Sequence, residues 1–323
     1  QRGGTRVAAM TAELARLDRQ VLSLFSTSVR SGLLEHFTTR LDSVSAVQEI
    51  RLRKGRPICI VAPGGDCLLL SSVSQDDIDK TLSLITDCSY YALENELANG
   101  YITIPGGHRV GLSGQAAAWA DGSIRIREVT GFCFRIAREV KGAAEKVVRQ
   151  LMGPSGSGRL ASTLIISPPG CGKTTLLRDL CRLAGEGMPQ VGLRPSQVGI
   201  VDERSEIAAC HRGVPQHDVG PRADILDRCP KARGMMMLQR SMGPDVIATD
   251  EIGSEEDARA VAAVLSGGAS VLATCHGENL LQVKRQPHSA WLIDKGYFQK
   301  AVVLSRRRGP GTVEYALGTP WPE

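Results

Sequence analysis

Aromatic residues and paired cysteines are scarce in this chain of 323 residues. Phe, Trp and Tyr make up only 4% of the chain, so the stacking surfaces with which proteins hold single-stranded nucleic acid are sparse. The nine cysteines are scattered, and none belongs to a Cys-x-x-Cys pair. This pattern predicts free thiols in a reducing compartment, without a disulfide framework or a zinc site.

Long hydrophobic runs and a strong charge of one sign are also missing. The longest uncharged run, 260–275, is interrupted by Ser266-Gly267-Gly268, which favours a helix, a turn and a strand over a membrane span. The net charge of +5 permits contact with nucleic acid or an anionic membrane but requires neither. Because the polar start has no signal-peptide pattern, we expect a soluble, cytoplasmic protein.

The clearest motif lies in the middle of the chain. The apolar run 164–166 predicts a buried strand, a Gly/Pro turn follows it, and Lys173 opens a helical pattern. This order is typical of a phosphate-binding loop, whose backbone N–H groups surround an anion. The first glycine of the usual pattern is replaced by a serine, which we interpret as a tolerated variant. The predicted nucleotide-binding residues are Ser167, Pro168, Pro169, Gly170, Cys171, Gly172, Lys173, Thr174 and Thr175.

A second motif supplies the charges that ATP hydrolysis needs. Lys173 is predicted to reach the β- and γ-phosphates, and the Thr174 hydroxyl to bind Mg²⁺. The apolar strand 246–249 runs into two acids. Asp250 is predicted to hold Mg²⁺ through Thr174 or water, and Glu251 to polarise the attacking water. Together the two motifs predict an enzyme that binds ATP with Mg²⁺ and hydrolyses it.

Two further apolar strands end in polar residues. One runs into the acidic segment 202–206, in which Glu203 or Glu206 could position the water instead of Glu251; a solvated loop is the alternative. The other ends at His276, which suits a γ-phosphate sensor better than a core histidine. Because ligands of parallel sheets lie at the carboxyl ends of the strands, we expect these residues at one site.

The distribution of strands and helices predicts two domains. Apolar strands alternating with helices predict an α/β fold with a mainly parallel sheet, here a RecA-like P-loop ATPase domain over 161–323. Those strands are expected at 164–167, 199–202, 246–250 and 269–275. Residues 1–145 predict a smaller α+β domain, and the Gly/Ser/Pro-rich stretch within 146–160 predicts a linker.

The expected α+β domain contains hairpins and helices. Alternating residues predict hairpins over 49–61 and 101–114, and helical spacing predicts helices over 11–41, 76–85 and 89–98. His108 lies in the turn of the second hairpin, where we interpret it as a solvent-exposed residue. The pattern offers no catalytic constellation in this half of the chain.

Several longer strings resemble a known family. They are IPGGHRVGLSG, SPPGCGKTTLLRD, VDERSEIAA, GVPQHDVG, CPKARGMMMLQRSMGPDVIATDEIG and LSRRRGPGTVE, all between residues 45 and 315. They are similar to the secretion ATPases of type II and type IV systems, and more closely to the stage III sporulation protein AA family of endospore formers. The resemblance implies a two-domain motor ATPase that works as a ring, expected to be a hexamer, at the mother-cell face of the channel into the forespore. It implies membrane-embedded channel proteins as partners and a peripheral position at the cytoplasmic face of a membrane.

The chain departs from the secretion ATPases at its acids. Their third strand usually ends in a lone Glu, whereas Asp250-Glu251 looks more like a general AAA or RecA-like site. Their acidic box usually reads Glu-Asp, and here the order is Asp202-Glu203. Whether Glu203, Glu206 or Glu251 positions the water therefore stays open.

The resemblance also implies an arginine that meets the charge on the γ-phosphate, often from a neighbouring subunit. Arg240 matches the arginine that precedes Pro-Asp in secretion ATPases, so it is the first candidate and Arg222 the second. The alternative is that Arg240 pairs with Asp245. Two other functions stay open: a nucleic-acid-stimulated ATPase, suggested by Arg306-Arg307-Arg308, and a nucleotide-gated scaffold that barely turns over ATP.

Overall fold

A computed structural model of the chain describes residues 2–40, 44–86, 100–118 and 124–318. The helix expected over 89–98 lies outside these described residues. The chain divides into two compact units, Gln1–Arg138 and Glu139–Glu323. Each unit has its own hydrophobic core.

The first unit combines helices with an antiparallel sheet. Its helices are α1 (Arg2–Gln20), α2 (Thr27–Thr39) and α3 (Gln75–Thr86), and its strands are β1 (Glu49–Arg53), β2 (Pro57–Ala62), β3 (Gly65–Ser72), β4 (Tyr101–Ile104), β5 (His108–Ala118) and β6 (Ile124–Arg135). The strand order is β3-β2-β1-β6-β5-β4. Both predicted hairpins are confirmed, β1 with β2 and β4 with β5. The unit is the α+β part of the predicted fold.

His108 is buried, so its interpretation as a solvent-exposed residue is wrong. Its Nδ1 accepts a hydrogen bond of 3.0 Å from the backbone N–H of Ala137. Burial lowers the pKa of the imidazole to about 4, so the ring is neutral at pH 7. The remaining ring proton then lies on Nε2, 3.3 Å from Oε1 of Gln20. His108 thus stabilises the end of the hairpin within the first unit.

The second unit is built on a sheet of seven strands among the described residues, in the order β13-β12-β7-β11-β10-β8-β9. Its strands are β7 (Thr163–Ser167), β8 (Val198–Asp202), β9 (Ala223–Asp227), β10 (Val246–Glu251), β11 (Ser270–His276), β12 (Lys300–Ser305) and β13 (Thr312–Gly318). All neighbours pair in parallel except β12 with β13. The predicted α/β fold with a mainly parallel sheet is confirmed, and β9, β12 and β13 add to the four predicted strands.

Helices cover both faces of this sheet, which explains why its central strands are apolar throughout. The helices are α4 (Lys173–Glu186), α5 (Lys231–Ser241), α6 (Glu255–Ser266), α7 (Leu280–Val283) and α8 (Pro287–Asp294). Leu176 and Leu180 of α4 pack on one face, and Leu238 of α5 and Val261 of α6 on the other. Within the described ranges, every helix is too short or too polar to cross a bilayer.

The boundary between the units lies at Arg138 and Glu139, before the position expected at residue 145. Part of the stretch 146–160 that we interpret as a linker contributes to the core of the second unit. A short 3₁₀ helix, Val148–Leu151, begins there. The residues of this segment that belong to the second core are Val147, Val148, Leu151 and Leu160. These apolar side chains explain the difference, because burying them in the second core ties the segment to that unit.

Candidate active site

A cleft of about 420 Å³ lies at the carboxyl edge of the parallel sheet in the second unit. The segments after β7 and β8 and the last residues of β10 and β11 contribute to it, because parallel strands bring their carboxyl ends to one edge. Its lining residues are Pro169, Gly170, Gly172, Lys173, Thr174, Thr175, Arg204, Glu206, Asp250, Glu251, Thr274, His276 and Pro310. Five predicted site residues are not part of this lining: Ser167, Pro168, Cys171, Glu203 and Arg240.

The loop between β7 and α4 has the geometry of an anion-binding turn. Gly170 and Gly172 have φ of +68° and +91°, a conformation that glycine adopts at little cost. Gly172 is also the N-cap of α4 and provides no capping side chain, so the first N–H groups of the helix are available to an anion. Ser167 is still part of β7, paired with His276. Its position needs no positive φ, which explains why serine replaces the usual glycine.

Lys173 is the centre of a chain of polar contacts across the cleft. Its Nζ donates to the carbonyl oxygens of Ser167 (2.9 Å) and Pro168 (3.2 Å) and to Nδ1 of His276 (3.0 Å). Burial lowers the pKa of Lys173, and the nearby Glu251 carboxylate opposes this effect. Because the ammonium donates to Nδ1, the neutral ring carries its proton on Nε2. That Nε2 lies 2.9 Å from Oε2 of Glu251.

An irregularity at the end of β10 turns two successive acids to the cleft. Thr249 pairs with Ala273 and Glu251 with Thr274, so Asp250 is the extra residue. In a regular strand, neighbouring side chains point to opposite faces, and a bulge removes that alternation. Asp250 and Glu251 both line the cleft as a result.

Asp250 is suited to a divalent cation. The residue is 7% exposed, and its Oδ1 has no hydrogen-bond partner among the described residues. Burial raises the pKa of Asp250 to about 6, although the Lys231 ammonium, 3.5 Å from Oδ1, lowers it. A buried carboxylate oxygen whose Lys231 partner is as far as 3.5 Å away, in one cleft with Thr174, fits the oxygen ligands that Mg²⁺ prefers. The described residues contain no group of three or more His, Cys, Asp or Glu that could hold a metal.

The three acids of segment 202–206 have different surroundings. Asp202 is fully buried, and its carboxylate accepts hydrogen bonds from the N–H groups of Glu206, Ile207 and Ala208 at 2.7–2.9 Å. Arg178 of α4 donates to the carbonyl oxygens of Glu206 (2.7 Å) and Ile207 (2.5 Å). These bonds hold the loop so that the Glu206 side chain lines the cleft.

Glu203 is paired with a lysine that the sequence reasoning did not single out. Lys231, the first residue of α5, donates from Nζ to Oε2 of Glu203 at 2.5 Å. Burial lowers the pKa of Lys231, but this hydrogen bond and the charge of Asp250 outweigh it, so the pKa is raised. The sequence contained one signal for this pairing. A cation such as Lys231 in the first turn of a helix opposes the helix dipole, so it indicates an acidic partner nearby. Lys231 joins the acidic segment to Asp250.

We expect Asp202→Ala to destabilise the second unit, because it leaves three N–H groups of a buried loop without an acceptor. The free energy of unfolding should fall by at least about 2 kcal/mol, given the cost of unsatisfied buried groups. Chemical denaturation measures this change, and Glu203→Gln is the matched control. Equal stability of the two variants would show that Asp202 does not hold the loop.

The two candidate arginines also differ in their surroundings. Arg240 lies exposed near the end of α5 and does not line the cleft. Its alternative partner, Asp245, is paired with Arg159 at 2.6 Å. Arg222 donates from Nη1 to the carbonyl oxygen of Gly185 at 2.7 Å, so it is engaged near the end of α4. Neither arginine is among the residues that line the cleft.

Comparison with solved structures shows which known fold the chain has. The Legionella pneumophila ATPase DotB superposes with a TM-score of 0.53 at 15% identity, covering 84% of this chain and 76% of that one. The pilus retraction motor PilT, solved with bound ADP, superposes with a TM-score of 0.55 at 15% identity, covering 83% and 77%. The chain therefore has the fold of the secretion ATPases.

The family follows from the sequence comparisons. Residues 15–318 match the family model described as Sporulation stage III, protein AA. Stage III sporulation protein AA of Bacillus subtilis (strain 168) is 43% identical over 267 residues, which cover 83% of this chain and 85% of that protein. The chain belongs to this sporulation family, and the resemblance drawn from its motifs is confirmed.

Proposed function

We propose that this protein is a motor ATPase that hydrolyses ATP with Mg²⁺ in the cleft of its second unit. The observation that carries the proposal is the chain of contacts from Lys173 through His276 to Glu251. It joins the lysine of a phosphate-binding loop to a carboxylate at the end of a neighbouring strand. Such a chain supports the proposal, because ATP hydrolysis needs a cation for the phosphates and a base for the attacking water in the same cleft.

Each residue of the cleft has a role in this proposal. The free N–H groups at the start of α4 bind the phosphates, and Lys173 exchanges its contacts with two carbonyl groups for phosphate oxygens. Thr174 and Asp250 would hold Mg²⁺, which neutralises charge on the phosphate oxygens. His276, between Lys173 and Glu251, is the γ-phosphate sensor, and Glu251 orients the attacking water. Glu206 and Glu203 remain alternatives for this last role.

The assembly we propose is a ring, with six subunits as the expected number, at the cytoplasmic face of a membrane. Its work would be to power or assemble the channel between mother cell and forespore. Membership of the sporulation family and the fold of the secretion ATPases support this proposal. The mass of the full chain in solution, measured with and without ATP, tests it. Six subunits with ATP would support the ring, and a monomer under both conditions would contradict it.

Mixing two inactive variants tests whether Arg240 acts on a neighbouring subunit. Arg240→Ala is expected to bind ATP without hydrolysing it, because its own cleft is intact. Lys173→Ala keeps Arg240 but loses the phosphate contact. In a mixture, Lys173→Ala subunits should supply Arg240 to the clefts of their neighbours, so phosphate release should recover in part. Absence of recovery in a mixture shown to co-assemble would place the arginine within its own subunit or outside the reaction.

A further inference from the structure

The loop between β12 and β13 lies against the phosphate-binding loop. We call residues 306–311 the brace loop. Arg306 donates from Nε to the carbonyl oxygen of Gly170 at 3.0 Å, and the N–H of Gly311 donates to the carbonyl oxygen of Cys171 at 2.9 Å. The two loops therefore make two hydrogen bonds at successive peptide groups.

The approach between the two loops is close. A Cβ on Gly170 would lie 1.9 Å from Nη2 of Arg306, and a Cβ on Gly172 would lie 3.2 Å from the backbone N of Gly311. Glycine at both positions thus serves this contact as well as the positive φ. Strand order explains the meeting, because β12 is the parallel neighbour of β7 and the loops that follow them leave the sheet at the same edge.

The two hydrogen bonds have a consequence for phosphate binding. In a trans peptide, the C=O of one residue and the N–H of the next point in opposite directions. A donor that holds the Gly170 carbonyl on the outside of the loop therefore keeps the N–H of Cys171 turned inward. The bond from Gly311 to the Cys171 carbonyl does the same for the N–H of Gly172. Inward N–H groups are what an anion-binding turn presents to a phosphate.

We propose that Arg306 is a positioning residue of the nucleotide site, which keeps the phosphate-binding loop in its binding conformation through the Gly170 carbonyl. This inference deepens the proposed function and rests on it. The neighbouring Arg307 differs in its contacts, since its Nη2 pairs with Glu314 at 2.6 Å. Arg306 and Arg307 therefore have different partners. Arg307→Ala removes the same charge from the same loop, and the hydrogen bonds of Arg307 go to Ser305 and Glu314, so this variant is a matched control.

The test measures binding of ADP with Mg²⁺ to the full chain by calorimetry, for Arg306→Ala, Arg306→Lys and Arg307→Ala. Because Arg306→Ala loses a charge-assisted hydrogen bond, its affinity for ADP should be about tenfold lower than that of Arg307→Ala. Arg306→Lys should lie between the two, because an ammonium can still donate to the Gly170 carbonyl. Equal affinities of Arg306→Ala and Arg307→Ala would overturn the proposal.

Two further measurements separate positioning from a general loss of structure. Without nucleotide, Arg306→Ala and Arg307→Ala should unfold at the same temperature, because both side chains are exposed. Amide hydrogens of the segment 168–176 should exchange faster in Arg306→Ala than in Arg307→Ala. A lower unfolding temperature for Arg306→Ala alone, or unchanged exchange, would contradict the role of Arg306.

Failure of this inference is distinguishable from failure of the proposed function. If the wild-type chain binds no ADP, or Lys173→Ala binds it equally well, the assignment of the nucleotide site is wrong. If the wild-type chain binds ADP, Lys173→Ala does not, and Arg306→Ala matches Arg307→Ala, only the role of Arg306 is wrong.

Discussion

Replacing Lys173 by alanine is expected to abolish tight ATP binding while the second unit stays folded. The ammonium makes three hydrogen bonds in the cleft, to Ser167, Pro168 and His276, and the same donors are available to phosphate oxygens. Loss of the charge-assisted contacts between this ammonium and the phosphates should weaken ATP binding at least about 100-fold. The carbonyl groups left behind lie at the cleft, where water can replace the lysine, so the fold should tolerate the change.

Calorimetric titration with ATP and Mg²⁺ measures the effect of Lys173→Ala. Lys295→Ala is the control, because Lys295 is exposed at the end of α8 and has the same charge. Near-normal ATP affinity in a folded Lys173→Ala variant would contradict the assignment of the phosphate-binding loop. Weak binding in both variants would point to a general charge effect.

Replacing Glu251 by glutamine is expected to preserve ATP binding and to slow hydrolysis. The amide has nearly the same shape as the carboxylate and can still accept a hydrogen bond from Nε2 of His276, so the contacts of Lys173 should remain. It cannot accept a proton from the attacking water. Loss of a general base typically lowers the rate by about 10²–10⁴-fold. Steady-state release of phosphate, measured beside ATP affinity, separates the two effects.

Matched variants of the acidic segment decide between the alternatives for the base. Glu206 lines the cleft, whereas the carboxylate of Glu203 is bonded to Lys231. With Glu251 as the base, Glu206→Gln and Glu203→Gln should each keep more activity than Glu251→Gln. Normal hydrolysis by Glu251→Gln, together with loss of activity in Glu206→Gln, would move the base to the acidic segment.

The parts of the site that depend on local sequence were predictable. A strand, a turn containing Gly170 and Gly172, and a helix beginning at Lys173 are contiguous, so the phosphate-binding loop is visible in the sequence. The mainly parallel sheet was also predictable from local sequence, because its central strands are apolar runs that alternate with helices. The pattern also contained a signal for β12, whose residues 301–304 are apolar.

The parts that depend on contacts between distant segments were not predictable. Three acids of one short segment have different roles because Asp202 bonds to its own loop, while Lys231 binds Glu203 from the start of α5. The irregularity that turns both Asp250 and Glu251 to the cleft depends on pairing with β11. Burial of His108 depends on its packing against neighbouring segments of the first unit.

The contact between Arg306 and Gly170 is a further example. It joins residues 136 positions apart, and only the position of β12 beside β7 in the sheet brings them together. In the sequence, Arg306-Arg307-Arg308 has the pattern of a nucleic-acid contact. The pairing of Arg307 with Glu314 and the contact of Arg306 with Gly170 favour a role within the second unit.

The most direct test of the proposed motor ATPase is the rate of phosphate release from ATP, measured with the full chain at several protein concentrations. We expect turnover that is absent in Lys173→Ala, rises per subunit as the protein concentration rises, and is unaffected by added DNA or RNA. Stimulation by nucleic acid would favour the nucleic-acid-dependent ATPase. Tight ATP binding with no release above that of Lys173→Ala at any concentration would contradict the account and leave a nucleotide-gated scaffold.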